Sequence, residues 1–288
     1  MKIVLMTCVM VTGILPAQEA TPANSRPAST SWRALPLWDI GRAEFSAYEV
    51  SWQRYGARRK ARALIVLVKE PWAPDLDVKA DTPREQSFDV LKLNHIRDAR
   101  TGIYRYHQMA SAFIRRDDGR LRKMATSSTE ACGITTTDLR GGVLSTRSYF
   151  DRQGDRQTAW KAGAIPVDAL PMLGRDLVQA GKSSSKTVDL FPSLLNGRLP
   201  PLKARAWTVS RRELGEVETP GLRCKATEVR LVRGRFAHRL VFEARTPHRL
   251  LTWEQPDGTS YRLAKTELLE YWEKTAPGDA SWWPEHLR

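Results

Sequence analysis

From Ala43 onward the chain is dominated by short apolar and polar runs with the two-residue period of half-buried strands. Residues 43–54 hold Phe45, Tyr48, Val50 and Trp52, and the basic turn Tyr55-Gly56-Ala57-Arg58-Arg59 follows. Within 61–70, Leu64-Ile65-Val66-Leu67-Val68 is unbroken by polar residues, the pattern of a strand buried on both faces. Residues 71–84 hold three prolines and read as a loop. Strands are expected over 88–96 and 103–115, joined by a turn through Gly102. Asp117-Asp118-Gly119 then marks a tight turn into a strand over 121–129.

The middle of the chain is less regular. A hairpin is expected from 143–150 to 157–161, around Gln153-Gly154-Asp155. Residues 166–180 predict a helix: Val167, Leu170, Leu173, Leu177 and Val178 fall near one helical face, and Gly181 sits where a C-terminal cap belongs. Pro171, five residues after Pro166, implies that this helix is short, kinked or late in starting.

The last third alternates most clearly. Thr227, Val229 and Leu231 are interleaved with Glu228 and Arg230, and the turn Arg233-Gly234-Arg235 leads to Phe236, His238, Leu240 and Phe242 on one face. Leu251 and Trp253, the turn Gln255-Pro256-Asp257-Gly258, then Tyr261 and Leu263 complete an antiparallel meander. The pattern predicts a mainly β fold: a curved antiparallel meander or open half-barrel, with one or two helices packed in or over its concave face. No fixed-period repeat marks a solenoid or propeller.

The N-terminus changes the picture of where this fold works. Met1-Lys2, an apolar core from Ile3 to Leu15 and a small-residue exit at Pro16-Ala17 form the pattern of a signal peptide over 1–17. That core is too short to span a bilayer, which takes about twenty apolar residues. A flexible linker rich in Ala, Pro, Ser and Thr follows over 18–31, and a single β-rich domain is expected over 32–288. The expected address is periplasmic or extracellular, with no transmembrane span after cleavage. There the formal charge of +14 points away from nucleic acid, for which no motif occurs, and towards envelope polyanions. Cys8 would leave with the leader. Cys132 and Cys224 would remain, either free or joined as a disulfide.

Candidate chemistry is sparse. No phosphate-binding loop, dinucleotide glycine fingerprint, nucleophile elbow or zinc signature is present. Five histidines lie without metal-ligand spacing, so neither a metal nor a cofactor is expected, and His238 reads as a core histidine. In Glu130-Ala131-Cys132-Gly133, Cys132 is either a small strand-end residue or a nucleophile served by Glu130 and a histidine from a neighbouring strand, His107 or His95. Trp282 and Trp283 form an aromatic pair suited to stacking on a sugar. Arg58 and Arg59 mark a basic turn able to bind anions; the basic segment 120–123 falls at the opposite end of an up-and-down sheet.

Three segments carry a resemblance. They are Val90-Leu91-Lys92-Leu93-Asn94, then 101–113 with Tyr104-Arg105-Tyr106-His107-Gln108, then Glu130-Ala131-Cys132-Gly133. Together they resemble a family of uncharacterised exported bacterial proteins, some of whose members carry an automatic septum-formation-inhibitor label. The enzymes that label describes have an N-terminal Ser-x-Ser-Pro-Arg motif, which is missing here. Relatives more often show Glu-Trp-Cys-Gly-His at the cysteine, where this chain has Ala131 and Ile134. The C-terminal meander is similar to exported domains related to outer-membrane lipoprotein carriers, which implies a curved half-barrel cupping helices. The expected function is therefore non-catalytic binding of an apolar or amphiphilic ligand, a lipid or lipoprotein, in the cell envelope. The alternatives are an exported enzyme using Cys132, or a binder of glycan or anionic wall polymer.

Overall fold

The computed structural model describes residues 31–180 and 186–288. The expected leader, the linker apart from Ser31, Cys8 and Gly181 lie outside the described residues. In chain order the strands are β1 (Ala43–Arg54), β2 (Ala57–Ala73), β3 (Val78–Lys79), β4 (Phe88–Thr101), β5 (Tyr104–Arg115) and β6 (Leu121–Glu130). β7 (Gly133–Arg140), β8 (Val143–Ser148), β9 (Arg156–Ala159) and β10 (Ile165–Pro166) precede the helix α1 (Leu170–Gln179). β11 (Lys186–Phe191), β12 (Arg205–Thr219), β13 (Leu222–Arg233), β14 (Phe236–Glu243), β15 (Leu250–Glu254) and β16 (Ser260–Leu269) follow.

One sheet joins them all. Its order runs β10-β11-β12-β13-β14-β15-β16-β1-β2-β4-β5-β6-β7-β8-β9, with β3 paired on β2. Every pairing is antiparallel except β10 with β11. The path has two ends and does not close, so the expected open, curved meander is what the chain forms.

The inner face is defined by α1, which packs on β13 and β14, while residues 167–169 reach β4 and β5. Tyr48, Val50 and Trp52 of β1, Ile65 and Leu67 of β2, and Tyr261 and Leu263 of β16 share one buried cluster with Leu170, Met172, Leu173, Leu177 and Val178. The helix starts late. Val167–Ala169 is a 3-10 turn, and Pro171 falls in the first turn of α1, where its missing N–H is no loss. Arg175 bolts α1 to the sheet: its buried guanidinium forks onto the Glu44 carboxylate, at 3.1 Å to Oε2, and donates to the Pro247 carbonyl at 2.9 Å. The Trp32 ring lies 5.3 Å from the same group.

The outer face is also covered across the middle strands. Phe45 stacks on Tyr271 at 5.3 Å and meets Trp282 edge-on at 4.7 Å. Leu287 buries itself against Ala47 and Ala264. Strand β2 is therefore buried on both sides over 65–68, as its apolar run required.

Three expectations change. Pro71 continues β2 rather than opening a loop: it lies beyond the last β1 pair at Leu67, and there its carbonyl still accepts from the Ala80 N–H at 2.9 Å, so the strand forgoes only the one N–H a proline lacks. Strand β7 was not expected, because its inward residues are Thr135 and Thr137 instead of apolar ones. Phe236, expected inward with His238, is 40% exposed.

Candidate functional site

Side chains of β16, β1, β2, β4 and β5 meet in rows on the outer face. One row follows the register Arg262, Glu49, Arg62, Asp98, His107, with signs alternating across the first four strands. Asp98 accepts from His107 Nδ1 at 2.7 Å and lies 3.8 Å from Arg62 Nε. The next row towards the turns is different. Ser260, Ser51 and Lys60 are in register, and on the next pair of strands Arg100 stands directly opposite Arg105. This row has no acid.

Short serines between long cationic side chains leave a hollow. A cavity of about 990 Å³ opens there, lined by Ser51, Ser260, Arg58, Arg59, Lys60, Arg62, Arg100, Arg105, Arg262 and Arg288 among others, with Glu49 and Asp98 as its acids. The last residues of the chain wall one side. His286 Nε2 lies 2.6 Å from Glu49 Oε1, and Arg62 donates to the Leu287 carbonyl at 2.6 Å while its guanidinium sits over the Trp283 ring at 4.7 Å.

Charge at this cavity is uncompensated. Among the described residues Arg58, Lys60, Arg100, Arg105 and Arg262 form no ion pair. Arg262 stands in register with Glu49, yet His286 takes that carboxylate instead. Arg59 also borders the cavity, but in register with Trp52 it directs its side chain to the inner face, so its charge does not join this set. Like charges directly opposite across strands destabilise a sheet, so the Arg100–Arg105 pair is the kind of arrangement an anion relieves. The chemistry on offer is charge-assisted hydrogen bonding to phosphate or carboxylate oxygens.

The other candidates stand elsewhere. Cys132 is free and exposed in the β6–β7 turn, its Sγ donating to Tyr104 Oη at 3.6 Å. Glu130 is in register with Tyr106 on the inner face, buried and 3.9 Å from Arg54, while His107 is on the outer face. The trio is thus not brought together. Cys224 is also free, near the start of β13, whereas Cys132 sits at the opposite end of the sheet. Trp282 and Trp283 are half-buried clamps: Trp282 Nε1 donates to Glu267 at 2.8 Å, and Lys265 donates to the Trp282 carbonyl at 3.0 Å. Arg58 and Arg59 do line the cavity; Arg120 and Arg122 lie at the far end, paired with Asp118 and Asp77. Arg100, Arg105 and Arg262 were missed, because only strand pairing brings them to the basic turn.

The inner face holds a polar network as well. Arg97 forks onto Gln108 Oε1 at 2.9 and 2.6 Å and reaches Asn196 at 3.1 Å, and Gln108 donates to Ser128 at 3.0 Å. His95 lies between the Asp168 carbonyl at 3.3 Å and Tyr261 Oη at 3.2 Å, its pKa pushed down to about 3 by burial. Burial raises Asp168 to about 6, although Ser193 and the Leu194 N–H donate to its carboxylate. Thr126 and Thr135 donate to the carbonyls of Leu194 and Gly197. These bonds fasten the segment around 193–199 into the concavity. They do not converge on an open space.

Among the described residues no group of three or more His, Cys, Asp or Glu is placed to hold a metal ion, and no helix is long and apolar enough to cross a membrane. No family model matches the chain and no curated protein does. Among solved structures the chain is similar to a beta-barrel-like protein of domain of unknown function DUF1849 from Brucella abortus, 9% identical, with a TM-score of 0.48 over 80% of this chain and 98% of that one.

Proposed function

We propose that this protein is an exported, non-catalytic binder of an anionic envelope polymer, whose phosphate or carboxylate groups enter the outer-face cavity. The observation that carries this reading is the set of five cations without ion-pair partners around one hollow of about 990 Å³. Hydrogen bonds to charged groups are worth about 1.5–3 kcal/mol each, against about 8 kcal/mol for micromolar binding, so affinity at that level draws on most of the five cations together. A lipid held in the concavity is the less supported reading, since α1 and the segment around 193–199 bury the inner-face side chains. An enzyme built on Cys132 lacks an assembled base.

Titration calorimetry with polyphosphate tests the reading. Saturable binding that weakens with salt is expected, and the double variant Lys60→Glu/Arg262→Glu should lose about tenfold or more in affinity. Absence of saturable binding, or a double variant that binds as well as the parent, would overturn it. Cell fractionation checks the envelope half: protein retained in the cytoplasm would refute export.

A further inference from the structure

In an antiparallel sheet alternate turns fall at the same end, so the β1–β2, β4–β5 and β6–β7 turns share one rim, beside the cavity. That rim is apolar at its tips. Ile103, the second residue of the β4–β5 turn, is 97% exposed, and Tyr55 in the β1–β2 turn is 65% exposed. Tyr104, Ile134 and Tyr149 extend the patch: the Tyr104 hydroxyl meets Cys132, and the Tyr149 N–H bonds to the Ile134 carbonyl at 3.2 Å. Tyr55 also adopts φ of 53°, a left-handed conformation that favours glycine or asparagine over a bulky aromatic. The Arg54 guanidinium lies over its ring at 4.6 Å and its hydroxyl hydrogen-bonds to Tyr106 Oη at 2.9 Å, which hold the aromatic at the tip of the rim.

Cations flank the same tips. Arg100 and Arg105 bracket Ile103 on the two strands of its hairpin, and Arg58 follows the Tyr55 turn; none of the three forms an ion pair among the described residues. A soluble polyanion accounts for the arginines and leaves the isoleucine unexplained. An anionic bilayer accounts for both, because its acyl boundary takes aliphatic and tyrosyl tips while its headgroups meet the arginines just behind them. We infer that this rim docks on an anionic lipid surface with Ile103 inserted below the headgroups.

This inference goes beyond the polymer reading and fails separately from it. Sedimentation of the full chain with vesicles of equimolar phosphatidylglycerol and phosphatidylcholine should carry the protein down, and vesicles of phosphatidylcholine alone should not. Ile103→Ser, which changes no charge beside Arg100 and Arg105, should lower partition by about tenfold while leaving polyphosphate binding as in the parent. No sedimentation with anionic vesicles, or equal partition of Ile103→Ser, overturns the docking rim. Vesicle binding that depends on Ile103 in a protein that ignores polyphosphate upholds the rim and removes the polymer reading.

Discussion

Ser51 and Ser260 shape the outer-face cavity as the cations around it charge it, because a longer side chain at either would intrude between those cations. This separates a shaped site from a merely basic surface. Ser51→Leu keeps every charge and sits on an outer face where a leucine is tolerated. It should weaken polyphosphate binding by about tenfold, a change of about 1.4 kcal/mol, if anions enter the cavity. Binding unchanged in Ser51→Leu, measured beside the Lys60→Glu/Arg262→Glu variant, would mean that the field of the face attracts anions without a pocket. Glu49 has a supporting part: by pairing with His286 it holds the chain end as a wall and leaves Arg262 unpaired.

At the scale of elements, α1 depends on two neighbouring residues. A Cβ built on Gly174 would lie 2.6 Å from Phe242 Cζ, so the helix can sit this close to β14 only with glycine there. Gly174→Ala should cost about 1–3 kcal/mol by overpacking, despite alanine's better helix propensity. Arg175→Ala leaves Glu44 buried and unpaired, and a loss of about 3–5 kcal/mol is expected in urea unfolding. A smaller loss, within 1 kcal/mol, would show that the ion pair does not hold the helix. How legible these elements were follows from what each buries. Strands facing an apolar core announced themselves: the run at 64–68, the alternation around His238 and the proline-delayed helix are all where the sequence put them. Strand β7 was hidden because Thr135 and Thr137 face inward to bond with neighbouring hydroxyls and the Gly197 carbonyl, which reads as polar. Only the basic turn of the cavity was legible. Its other cations are separated in sequence by whole strands and meet through register, which no local pattern encodes.

The whole molecule carries more buried titratable groups than its polar surface suggests, and they fix how its stability responds to acid. His95 is held down to about 3 and His238 to about 4, each by burial, with Trp253 Nε1 donating to His238 at 3.3 Å. Unfolded, both titrate near 6.5, so below that pH the unfolded chain takes up protons the folded one refuses, and stability falls. Asp168 works in the opposite sense: raised to about 6 by burial, it binds a proton in the folded state between pH 6 and 3.8 that the unfolded chain does not. Glu243, raised, and His248, lowered, oppose each other likewise. Among His95, His238 and Asp168 the unfolded chain binds about one proton more than the folded one between pH 6 and 4, a contribution of about 1.4 kcal/mol per pH unit to the fall. Replacing one histidine removes that surplus. His238→Gln keeps an acceptor for Trp253 and leaves His95 balanced by Asp168, so its stability should decline from pH 6 to 4 by about 1.4 kcal/mol per pH unit less than the parent's. Urea midpoints across that range decide the matter. A variant that declines as steeply as the parent would show that His238 is not the group whose burial sets the acid response.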